Sequence, residues 1–242
     1  MISIIIIIVA ILAVAGLAYF IVNKLPSKLK PIVSLLLWAF IIFFSYQIYQ
    51  SIMKPIHFNK MKRERYAKVI DNLKIIRDAE IAYAEVNRRF TANEQELISF
   101  IDTAKFAITE IKNIVVTEQR GRITIDVEKR TVDTVGFEPV AKSFEGRDYK
   151  NMMKVPGTNA KFELKISVLE KMQGVKTSVF EAKVNKGVVL EGMDKDLIRQ
   201  EKETLGGINV PGEYISVGSL KDVNSNGNWP PFYDGNKEDS EN

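Results

Sequence analysis

Two uncharged apolar runs at the start of the chain constrain its architecture more than anything that follows them. Residues 2–22 and 32–53 contain no Asp, Glu, Lys or Arg, and each is about the twenty residues that a bilayer-crossing helix needs. A short polar link, residues 23–31, carries Lys24, Lys28 and Lys30 between them. The sequence therefore predicts a transmembrane hairpin over residues 1–53. The alternative for the first run is a cleaved signal peptide, because Ala13-Val14-Ala15 has small residues where a peptidase would cut. No Lys or Arg precedes that run, and it continues past the cut, which favours an uncleaved span.

In a two-span hairpin the N-terminus and the soluble part share one face of the membrane. The lysines of the short link belong on the cytoplasmic side, which sends the domain outward. A second basic group follows the second run: Lys54, Lys60, Lys62, Arg63 and Arg65, with only Glu64 against them. It pulls the other way, yet it leads into a long domain, and long domains translocate largely regardless of charge. These residues read first as a stop-transfer flank, and second as a grip on anionic lipid headgroups. No basic stripe interleaved with aromatics continues into the domain, so nucleic acid is not an expected partner. The expected partners are the bilayer and other envelope proteins or a second copy of the chain.

The remainder, residues 54–223, is long enough for one α+β domain. From residue 59 to 89 apolar residues recur every three or four positions, at Val69, Leu73, Ile76, Ala79, Tyr83 and Val86, which predicts an amphipathic helix. The stripe Val69, Leu73, Ile76, Tyr83 and Val86 can cover the domain's own sheet or serve as a contact surface. Thr91-Ala92-Asn93-Glu94 has the form of a capping box opening a second, shorter helix. Strands follow: a hairpin over residues 113–118 and 123–127, then an alternating strand through Phe162, Leu164, Ile166 and Val168 with one face buried. A partner strand over 175–184, a short helix over 194–203 and a last strand over 214–217 complete the prediction. Residues 136–157 read as a surface connection, and 224–242 as a polar tail that frays.

The chain offers little for catalysis. It has no cysteine and one histidine, His57, just past the second run, so thiolate chemistry and histidine pairs have nothing to build on. There is no nucleophile elbow and no phosphate-cradling glycine loop. Asp222-Val223-Asn224-Ser225-Asn226-Gly227 matches the front half of a calcium loop, with Asp222, Asn224 and Asn226 as ligand candidates. The twelfth position is Tyr233 rather than an acidic residue, so a turn is the favoured reading. No enzyme activity, cofactor or metal is expected.

Residues 66–101 have a recognisable grammar: a long helix, an Arg89-Phe90 step, Thr91, then a short helix containing Glu96-Leu97-Ile98. This resembles the helix-to-loop segment of type IV pilins and pseudopilins. With Pro55-Ile56-His57-Phe58, Val179-Phe180-Glu181-Ala182-Lys183, residues 214–220 and Asn228-Trp229, the chain more closely resembles a family of membrane-anchored Bacteroidota proteins. The resemblance implies a pilin-like long helix on a small antiparallel sheet, held at the bacterial inner membrane and facing the periplasm, and it implies no activity. The mature-pilin start is missing and a second span is present, so pilin-type filament assembly is not implied. The expected role is a non-enzymatic structural or assembly component of an envelope machine. The alternatives are a cytoplasm-facing component of a secretion or gliding-motility motor, and an enzyme with an unrecognised site.

Overall fold

The computed structural model describes residues 9, 12, 14–16, 18–21, 23, 26, 29–120, 123–170 and 176–235. Most of the first apolar run, two of the three link lysines, residues 121–122 and 171–175 and the acidic terminus lie outside the described residues. The chain divides into two compact units, Met1–His57 and Phe58–Asn242.

The first helix, α1, runs unbroken over Lys30–Asn87, where the sequence predicted a span and a separate stalk helix. Pro55 lies inside it and removes one ladder hydrogen bond without ending it, and no glycine accompanies it. Among the described residues this is the one helix long and apolar enough to cross a membrane. Its apolar part is unburied on every side, with Leu35 and Trp38 exposed alongside Phe40 and Phe43, the character of a helix whose surroundings are themselves apolar. At its other end Asn87 donates to the Tyr83 carbonyl, and Arg88 adopts φ 59°, the left-handed conformation that commonly ends a helix.

In the second unit the sequence's helical stripe becomes the core. Val69, Leu73 and Ile76 are fully buried and Tyr83 nearly so, in one cluster with Leu97 and Ile101 of α2 (Glu94–Thr103) and with Phe180, Ala182, Ile215 and Val217 of the sheet. The stripe is thus not a contact surface; of its members only Val86 is exposed. The N-cap of α2 is Asn93, whose side chain accepts from the amides of Gln95 and Glu96. This corrects the Thr91–Glu94 capping box. Thr91 instead donates its hydroxyl to Glu96, because the helix starts two residues later than that motif requires.

Two antiparallel sheets follow. Strands β1 (Lys105–Arg120) and β2 (Ile123–Pro139) form a two-stranded ribbon. Strands β3 (Glu163–Glu170), β4 (Lys176–Asn185) and β5 (Tyr214–Gly218) form a three-stranded sheet with β4 in the middle. The predicted alternation of β3 holds at Leu164, which packs on the core. Ile166 and Val168 are exposed, so the core-facing part of the strand ends at Leu164. Between β2 and β3, Val140, Phe144, Met152, Met153 and Val155 are buried, so the stretch read as a surface connection is core. Helices α3 (Lys186–Val189) and α4 (Lys195–Lys202) lie between β4 and β5. Asp194 caps α4 as predicted.

The segment after residue 224 does not fray before Gly235. Gly227 bridges Val217, Asn228 hydrogen-bonds Tyr214 and Ser216 of β5, and Trp229 is buried with its indole N–H donating to Asp234. Asp234 in turn pairs with Lys74 of α1 at 3.0 Å. An aromatic anchor and an edge-strand contact hold a segment whose composition alone reads as a tail.

Candidate interaction surface

Two features outside ordinary core packing are candidates for function: a buried charge cluster and the β1–β2 ribbon. The cluster joins α1, α3 and α4. Lys62 donates to Glu201 at 2.8 Å and to Asn209 at 3.2 Å. Lys186 donates to the Glu201 carboxylate at 3.3 Å, to the Glu201 carbonyl at 2.6 Å and to the Val210 carbonyl at 2.7 Å. Tyr66 donates to the same carboxylate at 3.4 Å. Burial lowers the Lys186 pKa, which Glu201 opposes; burial raises that of Tyr66, with Glu201 adding to it.

Lys186 has three protons and three acceptors, so its nitrogen is fully engaged as an ammonium and has no lone pair for nucleophilic work. The same count explains why it can be buried at all: a charge without partners there would cost several kcal/mol in desolvation. The cluster is a polar knot that fixes α4 and the loop before β5 against α1. It has no arrangement of an acid, a base and an open position between them.

A second buried carboxyl, Glu80, accepts from the Thr91 amide at 3.1 Å and is fully buried. Its other oxygen has no partner. Burial pushes its pKa up to about 8, the Thr91 amide works against the rise, and Glu96 adds to it. The carboxyl is therefore held mostly protonated at neutral pH and closes the turn between α1 and α2.

The ribbon is different. Its strands are 16 and 17 residues long, roughly 50 Å of extended chain, and pair from Lys105↔Pro139 to Arg120↔Ile123. One register shift, between Ile108 and Thr109, leaves Val135 as an extra residue on β2. The base is tied to the core through Phe106 and through the Val140 amide, which donates to the Ala104 carbonyl. Beyond the base, neither face is covered. By strand alternation Ile111, Val115 and Val132 share one face and Ile108 and Ile114 the other; all five are exposed, Val115 to 63 %. A two-stranded ribbon without a covering layer is marginal in water, and exposed apolar residues on both faces make it a candidate contact surface.

Of the basic flank predicted from sequence, Lys62 is in the buried knot, and Arg65 donates to the Val189 and Glu191 carbonyls. Lys54, Lys60 and Arg63 remain exposed, with Arg63 over the Phe232 ring. The flank is therefore thinner than its sequence suggests, because a helix turns every residue three or four along onto the packed side. His57 is exposed.

In the calcium-like loop the Asn224 side-chain oxygen accepts the Asn226 amide, and the Asp222 amide is bound by Ser219. These are turn bonds. Asp222, Asn224 and Asn226 are all exposed. Among the described residues no three acidic or histidine side chains are grouped to hold a metal.

Sequence reasoning found only the distal third of the ribbon. The signal for the rest is present: from 105 to 117 and from 126 to 139 the chain is rich in Ile, Val and Thr, with no proline before Pro139. Compared with protein-family models, with curated proteins and with solved structures, the chain matches none.

Proposed function

We propose that this chain is a non-enzymatic, membrane-anchored assembly component that makes its working contact through the β1–β2 ribbon. The observation that carries the reading is a long two-stranded arm with exposed Ile and Val on both faces. Beyond Phe106 at its base, no described residue of the ribbon belongs to the core cluster. The absence of a free nucleophile or base in the buried knot supports a structural rather than a catalytic role. In this proposal residues 2–22 and 32–53 are both spans, the anchor sits in a bacterial inner membrane, and the lysines of the link place the domain in the periplasm. The pilin-like relation of helix to sheet belongs to the same reading.

The test is excision of the arm, with residues 109–134 replaced by a short turn. The excised chain is expected to reach the membrane and melt with the parent, while losing the proteins that co-purify with it in mild detergent. Retention of the same co-purifying set would overturn the reading. A C-terminal reporter active only in the cytoplasm tests the topology independently, and its activity would reverse the orientation.

A further inference from the structure

Among the described residues β1 has one neighbour, β2, and no third strand lies on its other side. The two edges of the ribbon are not equivalent. That of β2 carries the extra residue Val135, then Gly136, and ends at Pro139, the devices that blunt an edge against pairing. Over residues 105–117, β1 contains no glycine, no proline and no extra residue. Such an unbroken edge is a template for another strand.

Two-fold antiparallel pairing of a strand with itself requires that positions i and j sum to an even constant, so one residue faces its own copy. Centring on Glu110 or Lys112 sets like charges together, and centring on Asn113 sets Glu110 against Val116 and Lys112 against Ile114. Centring on Ile111 conflicts nowhere. Ile111 then meets Ile111 of the second copy, Ile108 meets Ile114, Ala107 meets Val115, and Thr109 meets Asn113. Glu110 meets Lys112, twice by symmetry. Each of these apolar residues faces an apolar one and both charges face their opposites, the cross-strand matching that stabilises a sheet.

The ribbon itself shows what the second copy would supply. Glu110 stands directly opposite Asp133, a like-charge pair that is unfavourable in a hairpin. Its counter-charge is Lys112, 2.9 Å away along the same strand. In the paired form the second copy's Lys112 arrives on the free side of Glu110, so the acidic pair acquires a second ammonium. We infer that the partner of this arm is a second copy of the chain, joined edge to edge through β1 about Ile111 into the four-stranded sheet β2-β1-β1-β2. This deepens the assembly role proposed above and rests on it.

The chain lacks cysteine, so single cysteines in the full-length protein, in membranes treated with copper phenanthroline, read the register directly. Ile111→Cys is expected to give a covalent dimer. Val115→Cys and Thr131→Cys are expected to stay monomeric, since Val115 lies roughly 25 Å from its own copy along the paired strands. Charge reversal checks the chemistry. Glu110→Lys is expected to weaken the dimer by roughly tenfold; within the hairpin it loses the pair with Lys112 and gains one with Asp133, so an unchanged far-ultraviolet strand signal separates the loss from a melted arm. Adding Lys112→Glu to that variant should restore the dimer.

Cross-linking at Thr131 instead of Ile111, or no rescue by the double variant, overturns the inference, as does a monomer in every variant. A photo-reactive residue at Val132 then separates the two readings. An adduct to a different protein leaves the assembly role standing without self-pairing, and no adduct at all removes both.

Discussion

Replacing Glu80 by glutamine should change stability by an amount that depends on pH. In the folded protein this carboxyl is fully buried with one oxygen unpartnered, and its pKa rises from 4.5 to about 8. Below about pH 4.5 the group is protonated in both the folded and the unfolded chain and costs nothing through ionisation. As pH rises the unfolded chain releases the proton while the folded chain keeps it, so stability falls until the folded group ionises near pH 8. Integrated from 4.5, the loss is about 3 kcal/mol by pH 7 and under about 5 kcal/mol above pH 8.

The side-chain amide of the Glu80→Gln variant presents the same oxygen to the Thr91 amide and cannot ionise. The melting temperature of Glu80→Gln minus that of the parent, measured in one detergent from pH 4.5 to 8.5, should therefore climb by roughly 6–12 °C by pH 7. At the acid end the variant should be no better than the parent. Every other titration is common to both chains, so the difference isolates Glu80. Parallel profiles would refute the reasoning, and a variant that loses ground as pH rises would mean that Glu80 works as a carboxylate.

Three further predictions concern packing and the loops. Glu201→Ala leaves Lys62 and Lys186 buried without their counter-charge and should cost about 3–5 kcal/mol in denaturant titration; Lys62→Met should cost less than half of that, since Lys186 still neutralises Glu201. Gly218→Ala should cost about 2–4 kcal/mol. At Gly218 φ is +75° and an added Cβ would lie 2.3 Å from the Phe180 carbonyl oxygen, so an unchanged melting temperature would contradict the backbone path there. Millimolar calcium should leave the melting temperature of the parent and of Asp222→Ala alike, because Asn224 already closes the turn on its own backbone.

The elements legible in the sequence were those whose pattern is local. The period of α1 from Val69 to Tyr83, the Asp194 cap and the strands at 163–170 and 214–218 all declare themselves through neighbours three or four residues away, or two. What was illegible depends on distant partners. Nothing around Lys186 announces that a lysine between Val184 and Val189 is buried, because its acceptors are Glu201 and Val210, brought there by the loop before β5. Phe144 and Met152 lie among turn formers and become core only through members of the cluster far away in sequence. Trp229 pins a polar segment through Asp234 and Lys74, a contact with α1 that no local window contains. The ribbon was undervalued for a different reason. Its strands lack the single buried face on which strand recognition relies.

If the arm is the working surface, contacts pass through it and not through the rest of the exposed apolar surface. Photo-reactive residues placed one at a time at Val115, Val132 and Phe137 on the arm, and at Ile81, Leu205 and Ile208 elsewhere, test it in native membranes. All six positions are exposed, so accessibility does not bias the comparison. Protein adducts are expected from the arm positions and none from Ile81, Leu205 or Ile208. Adducts from the last three with none from the arm would contradict that reading.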